Sequence, residues 1–509
     1  MALSTALARR FRLRLGERGE AGGSPLLRNL AYLAGGQLAT WVLTAVWTLV
    51  VPRSLGPAGM GQLTIAWSAV AIVSVLCELG TGVLITRNIA RDHSRAPALL
   101  AGGILLRVVA IPIGWILVFA YIAATHFDTT QILVLILATA AMQVSLATGV
   151  IQAAFQGIER MEYLAYADVF SKTLMTIASI ALIVTGHGVV AIMGLSLSIS
   201  VVVFVFVLRW SRAHFVVTWQ AARHELITLI RGGLPFWATS LFLTAYIWID
   251  SVMLGMMTSE AVVGWYGTAT KLFAALLFIP AVLSTAWFPR LVAAFGQGHE
   301  QFRVALARVL NWTVILSLPI AAGMIAISHP LIALIYGPQF RESAGILAIL
   351  GLLLPFTYLN IVASQGLNAS NRQLTWTKIM AVATVVNLAT NLVLIPFFQA
   401  RWADGAIGAS ISLLLTEILM SVAALFLMRR SLGAVTLTRL LNAVLAATLM
   451  GLIVWQLAPA GLVVQVVAGT VVFGGLALLL RIPSADEFAM AQSVARRLFN
   501  RAQTEEAVA

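Results

Sequence analysis

The sequence predicts an all-α polytopic membrane protein of about fourteen transmembrane helices, arranged as two pseudo-symmetric six-helix lobes plus two C-terminal helices. Three observations lead there. Hydrophobic residues fill 60% of the 509 positions and charged residues only 10%, with mean hydropathy +0.96; a soluble domain is about 45 to 50% apolar and about 25% charged. The apolar residues gather into runs of about twenty, the length a helix needs to cross about 30 Å of hydrocarbon. Basic residues alternate between the connections: of 32 Lys and Arg, 24 fall in the tails and in every second connection, while three, Arg53, Arg341 and Arg401, fall in the others. The positive-inside rule then puts both termini in the cytoplasm.

In chain order, residues 1–26 carry five arginines together with Glu17 and Glu20, and lack an apolar core followed by a small-residue cleavage site. They read as a basic cytoplasmic tail rather than a targeting peptide. Six spans are expected at Leu27–Val51, Gln62–Thr86, Ala98–Ala123, Thr129–Ala153, Leu164–Thr185 and Val189–Leu208, making an N-lobe over 27–208. Residues 209–231 mix Trp219, Arg223 and His224 with apolar positions and are expected to lie along the inner surface as a linker. A C-lobe over 232–428 follows, with spans at Gly232–Met256, Val263–Phe288, Leu306–Ser328, Ser343–Gly366, Leu374–Phe397 and Asp404–Met428. Two more, Thr436–Leu457 and Ala460–Leu480, occupy 436–480. The tail 481–509 opens with the capping-box pair Ser484 and Glu487 and sets Phe488, Val494 and Leu498 among basic residues, which predicts an amphipathic surface helix.

Several function classes are excluded or disfavoured. A single cysteine, Cys77, leaves neither a disulfide framework nor a cysteine metal site, and the seven histidines show no HExxH or paired spacing. There is no GxxxxGK[ST] phosphate loop and no cofactor motif. The net charge of +13 is dispersed between spans rather than gathered in a stripe, so it reports topology and not nucleic acid. The outer connections are short, the longest being about fourteen residues around Tyr336-Gly337-Pro338, which disfavours a glycan-assembling enzyme with catalytic acids on the outer face.

Two echoes point to an internal repeat. Leu55-Gly56 with Gly61-Gln62-Leu63 after the first span is matched by Leu254-Gly255 with Gly264-Trp265-Tyr266 after the seventh, and Gln156-Gly157 after the fourth by Gln365-Gly366 after the tenth. The offsets, about 199 and 209 residues, cover six helices, an even number. The halves therefore share orientation, about an axis along the membrane normal, with a substrate path between them.

Charges inside spans are costly, roughly 2.5 to 3.5 kcal/mol each at the bilayer centre on insertion scales, and mark candidate sites. Asp250 in the seventh span and Lys271 in the eighth lie at matching depth, on the order of 10 Å below the outer surface by helix rise. Either an ion pair that fixes packing or two charges facing a wet cavity is open. Glu78 and Arg107 lie at similar depth from the inner face, where they either pair as a packing or gating element or meet the substrate directly, the packing or gating role being favoured. Arg53 stands at the outer mouth, placed to meet a phosphate or to mark the interface. Glu417 has no basic neighbour at its depth; it is either protonated during transport or held by hydrogen bonds from Asn387 or Asn391. The three lysines, against 29 arginines, all fall in spans. Lys172 and Lys378 either snorkel to the interface, Lys172 with Asp168 one turn away, or offer cavity cations to an anionic head group.

The run from Arg53 through Ser-Leu-Gly-Pro-Ala-Gly-Met-Gly-Gln, Glu78-Leu-Gly-Thr-Gly with Arg87, and Phe155-Gln-Gly resemble the polysaccharide (O-antigen type) flippases of the multidrug/oligosaccharidyl-lipid/polysaccharide exporter superfamily. So do Asp250-Ser-Val-Met-Leu-Gly, Val263-Gly-Trp-Tyr-Gly-Thr-Ala-Thr-Lys271-Leu and Phe288-Pro289-Arg290, the most specific part of a likeness that covers nearly the whole chain. The resemblance implies a non-enzymatic transporter working by alternating access in the bacterial inner membrane. Its cargo would be an undecaprenyl-diphosphate-linked oligosaccharide, and its partners membrane lipids and the polymerase and export machinery of cell-surface polysaccharide. It also implies a functional place for Asp250 and for basic cavity residues. A multidrug or cation antiporter of the same superfamily and a lipid II flippase are the alternatives. In-span charges lean basic, Arg107, Lys172, Lys271, Arg308 and Lys378 against Glu78, Asp168, Asp250 and Glu417, and so favour an anionic cargo.

Overall fold

A computed structural model describes residues 25–215, 217–429 and 437–482. The expected tail through residue 24 and the capping-box segment from Ser484 lie outside them. Among the described residues all long elements are α-helices. The first, α1 (Pro25–Glu78), runs 54 residues but is broken at Gly56, whose φ of 70° and ψ of 177° only glycine adopts without strain, with Pro52 and Pro57 on either side. In a straight helix Trp47 and Trp67 would be about 30 Å apart. Their ring centroids are 5.5 Å apart, so the two arms of α1 fold back on each other about Gly56 as the first and second spans.

The second arm ends earlier than hydropathy predicts. Leu79 (φ 52°) and Gly80 (φ 65°) turn the chain after Glu78, and Thr81–Arg91 forms a separate short helix, α2. The N-lobe continues with α3 (Ala96–Ala123), α4 (Thr129–Gly157), α5 (Met161–Val184) and α6 (Val189–Arg212). The seventh span, α7 (Ala222–Met257), starts ten residues before Gly232, so the later part of the expected surface linker is the first turns of this helix. The eighth span is α8 (Glu260–Leu276) and α9 (Phe278–Gln297), and the rest are α10 (His299–Ile335), α11 (Ser343–Ala369), α12 (Gln373–Trp402), α13 (Gly405–Met428), α14 (Leu437–Gln456) and α15 (Leu462–Leu479). The connection around Gly337 is shorter than expected, because α10 runs on to Ile335, past the expected end at Ser328, while α11 starts at Ser343 as expected. Apolarity marks only the part of a helix in hydrocarbon; the helix itself continues through its polar ends.

Among the described residues, thirteen stretches are long and apolar enough to cross a membrane, and the fold of α1 at Gly56 makes the Gly35–Glu78 stretch two crossings, hence fourteen. Apolar side chains such as Val184 (81% exposed) and Val463 (77%) point outward, as lipid contact requires. Packing repeats between the halves. In the N-lobe α4 packs on α3 and α6, α5 on α6 and on α1; in the C-lobe α11 packs on α10 and α13, α12 on α13 and on α7. α14 and α15 pack on each other and on α10, outside the repeat. The lobes meet where α1 lies on α7 and α8, and where α3 lies on α7.

Candidate functional site

The interface between lobes is built on glycine at one face and on an ion pair at the other. Near Gly56, a Cβ on Gly61 would overlap the Glu260 carbonyl, one on Gly264 the Pro57 carbonyl, and one on Gly267 the Thr64 side chain, so α1 and α8 approach backbone to backbone. The Gln62 amide donates to Glu260 at 2.9 Å across this seam. At the opposite face Arg95 bonds Glu225 at 2.9 Å, joining the α2–α3 connection to α7, and Gly80 lies so close to Gly233 and Trp237 that a Cβ would stand 2.5 Å from the Trp237 backbone nitrogen.

Between these closures, about 15 Å from the Gly56 face by helix rise, sits Lys271. Its Nζ is 4.5 Å from the ring centroids of both Trp47 and Trp67, one on each arm of α1. A desolvated cation–π contact is worth about 2 kcal/mol. Nζ is screened from solvent and has no hydrogen-bond acceptor, and neither has the Nε1 of Trp47, a residue 8% exposed. The ion pair with Asp250 is not formed: the C-lobe cation reaches across to two aromatic faces of the N-lobe instead. The signal missed in the sequence was the pair of tryptophans on either side of Gly56, Trp47 before it and Trp67 after it.

Asp250 turns into the C-lobe, 1% exposed. It accepts from Tyr266 of α8 at 2.9 Å and from Asn391 of α12 at 2.6 Å, while Asn391 also donates to Asn387 and Ser412 donates to the Asn387 carbonyl. One turn earlier on α7, Tyr246 donates to Glu417 of α13 at 2.5 Å, and Asn360 of α11 donates to the other carboxylate oxygen. Glu417 is therefore held by hydrogen bonds, but from Tyr246 and Asn360; Asn387 and Asn391 serve Asp250. Neither carboxylate has a basic partner within salt-bridge distance among the described residues. Five C-lobe helices thus converge on two buried acids joined through the α7 face that bears Tyr246 and Asp250.

The remaining candidates are dispersed. Arg107, 4% exposed, donates to the carbonyls of Cys77 (2.8 Å) and Glu78 (3.1 Å) and to Thr81 Oγ1 (2.9 Å). It binds the C-terminal carbonyls of the second span, not the Glu78 carboxylate, because the turn at Leu79 and Gly80 leaves those carbonyls without helical donors. Arg53 is exposed, and its carbonyl accepts from Gln339 at 2.7 Å. Lys172 and Lys378 are exposed, and Lys172 has no ion pair with Asp168. No group of three or more His, Cys, Asp or Glu side chains able to hold a metal occurs among the described residues.

Fold and interface together define a multi-pass membrane protein of two related lobes clasped across a central seam. It superposes on a lipid II flippase, MurJ, in its inward closed conformation with a TM-score of 0.70, at 13% identity, over 89% of this chain and 99% of that one. It also superposes on an inward-facing multidrug resistance transporter of the MATE family with a TM-score of 0.55, at 17% identity, over 79% of this chain and 98% of that one. A model of the polysaccharide biosynthesis protein family matches residues 26–295, and a MatE model residues 235–393. The chain belongs to the polysaccharide biosynthesis protein family. A relative from Haloferax volcanii, a probable flippase named AglR, is 24% identical over 409 residues, 78% of this chain and 82% of its own.

Proposed function

We propose that this protein flips an undecaprenyl-diphosphate-linked oligosaccharide from the cytoplasmic to the outer leaflet of a bacterial inner membrane, by alternating access between its lobes. Lys271 carries the reading: a cation between the lobes with no carboxylate or other acceptor among the described residues, so that an anion entering there finds an unspent partner. Family membership and the flippase relative support it, as does a fold built of two lobes that can rock about a shared seam. A diphosphate and glycan cannot cross hydrocarbon unaided, and a protected cation holds the anion while the lipid tail stays in the bilayer. Glu417 and Asp250, acids without basic partners, are the proposed sites of proton coupling. Arg107 stabilises the second span, and Arg53, Lys172 and Lys378 attract the head group towards the two mouths.

The match of the C-lobe to the MatE model favours one second reading, an antiporter of organic cations. Depletion of the protein in its own cells separates the two. Flipping predicts that lipid-linked glycan accumulates where periodate added outside spheroplasts cannot reach it, with tolerance to organic cations unchanged. Lost tolerance without glycan accumulation would establish the antiporter.

A further inference from the structure

Lys271 has two unlike claims on it: it belongs to the C-lobe, yet its ammonium lies over the indole faces of Trp47 and Trp67 in the N-lobe and has no hydrogen-bond acceptor among the described residues. The clasp sits below the glycine seam at Gly61, Gly264 and Gly267, so it holds the α1 and α8 backbones together on the Gly56 side. Two buried donors, Lys271 Nζ and Trp47 Nε1, lie beside one another with no acceptor. An oxyanion offers both of them hydrogen bonds, which an aromatic face cannot do for either.

We infer that Lys271 exchanges partners during transport: the two tryptophans hold it when the protein is empty, and the cargo diphosphate takes it when the protein is loaded, which unlatches the Gly56 face. Trp47 and Trp67 are then positioning residues that make opening of that face conditional on cargo. This rests on the proposed reading of the cargo as an anionic lipid-linked glycan. The exchange needs no covalent step. The cation moves from two π faces to oxygen acceptors, and the Nε1 of Trp47 gains an acceptor in the same movement. The seam then loses its only cationic tie between the α1 arms and α8 among the described residues.

The test reads opening of the Gly56 face directly. Thr64 is 4% exposed and packs against Gly267, so Thr64→Cys in a Cys77→Ala background places one thiol under the seam. The full-length protein is reconstituted in phosphatidylethanolamine and phosphatidylglycerol vesicles, and the rate of modification by a water-soluble thiosulfonate is measured. Undecaprenyl diphosphate is expected to raise the rate about tenfold, and undecaprenol, which lacks the anion, to leave it unchanged. Trp47→Leu with Trp67→Leu is expected to label fast without lipid, and Lys271→Gln to label fast and ignore the lipid. Lys271→Arg, which keeps the cation, is expected to retain the response. The milder Trp67→Phe, checked for a parental melting temperature, covers failure of the double variant to fold and is expected to label at an intermediate rate. Parental slow labelling in the tryptophan variants, or a lipid response that survives Lys271→Gln, would overturn the exchange. Translocation of a fluorescent lipid-linked glycan is followed in the same vesicles. Translocation with no clasp effect discards the exchange alone, whereas a lipid response without translocation refutes the flippase reading.

Discussion

Lys271 is the side chain at which a transport role and a packing role make opposite demands. A packing lysine can be replaced by any residue that fills the space between Trp47 and Trp67, whereas a cargo contact needs the charge. Lys271→Gln is therefore expected to cut glycan delivery about tenfold or more, while Lys271→Arg retains most of it; quantifying surface polysaccharide in cells that express equal amounts of each variant checks this. Asp250 is a different case, since its carboxylate serves two donors inside one lobe. Asp250→Ala strands the Tyr266 hydroxyl and the Asn391 amide and is expected to cost about 2 kcal/mol of stability, with a lower melting temperature in detergent, whereas Asp250→Asn keeps an acceptor and should lose little. The sequence marked Asp250, Lys271, Arg107 and Glu417 as costly charges inside spans and so as candidate sites. It could not show their partners, which come from positions such as Trp67, Asn391 and Asn360 that are ordinary in a membrane helix until the fold brings them together. Arg107 is the clearest case. Its partners are two backbone carbonyls released by a turn and the Thr81 hydroxyl just beyond it, an arrangement that only Gly80 hints at in the sequence.

The helices themselves were legible from apolar run length, and so were several of their ends, such as Ala123, Thr129, Val189, Ser343 and Met428; the breaks set by glycine were not. Gly56 fell inside an expected loop and proved to be a sharp fold in one helix, while the second span stopped short at Leu79 and Gly80. Both sites carry glycine with positive φ, the local signal that hydropathy does not weigh. The seam between α1 and α8 depends on glycine in another way, because a Cβ on Gly264 would meet the Pro57 backbone, which cannot rotate aside. Gly264→Val is expected to hold the Gly56 face open, so that a thiol at position 64 is labelled about tenfold faster with or without lipid.

At the α12–α13 connection, burial, with Glu342 nearby, pushes the carboxyl of Asp404 up to about 6 from its usual 3.8. The folded protein then holds a proton that the unfolded chain has released between about pH 4 and 6, so Asp404 favours folding most below that window and progressively less as pH rises through it. Asp404 also accepts from the Ala406 nitrogen at 3.1 Å, a role asparagine can fill. Asp404→Asn is expected to raise the melting temperature at pH 7 and to flatten its slope between pH 4 and 6, measured by thermal unfolding in detergent across that range.

The whole molecule is two lobes of one packing pattern, and here the sequence was most informative, since two short echoes at offsets near 199 and 209 residues foretold the six-helix repeat that the helix contacts display. What joins the lobes was less visible. An interface made of glycines, aromatic faces, the Gln62–Glu260 hydrogen bond and, among the described residues, the Arg95–Glu225 ion pair leaves no pattern in a linear chain, because its members are separated by up to about two hundred residues and each is common in membrane helices. That same construction suits rocking lobes: it offers close contact without a large network of buried ion pairs to break on opening. The most direct test is translocation by the purified protein. In vesicles carrying a fluorescent undecaprenyl-diphosphate oligosaccharide, the glycan should move between leaflets and become accessible to a membrane-impermeant quencher, and vesicles with Lys271→Gln should match empty ones. Movement no faster than in protein-free vesicles would contradict the account.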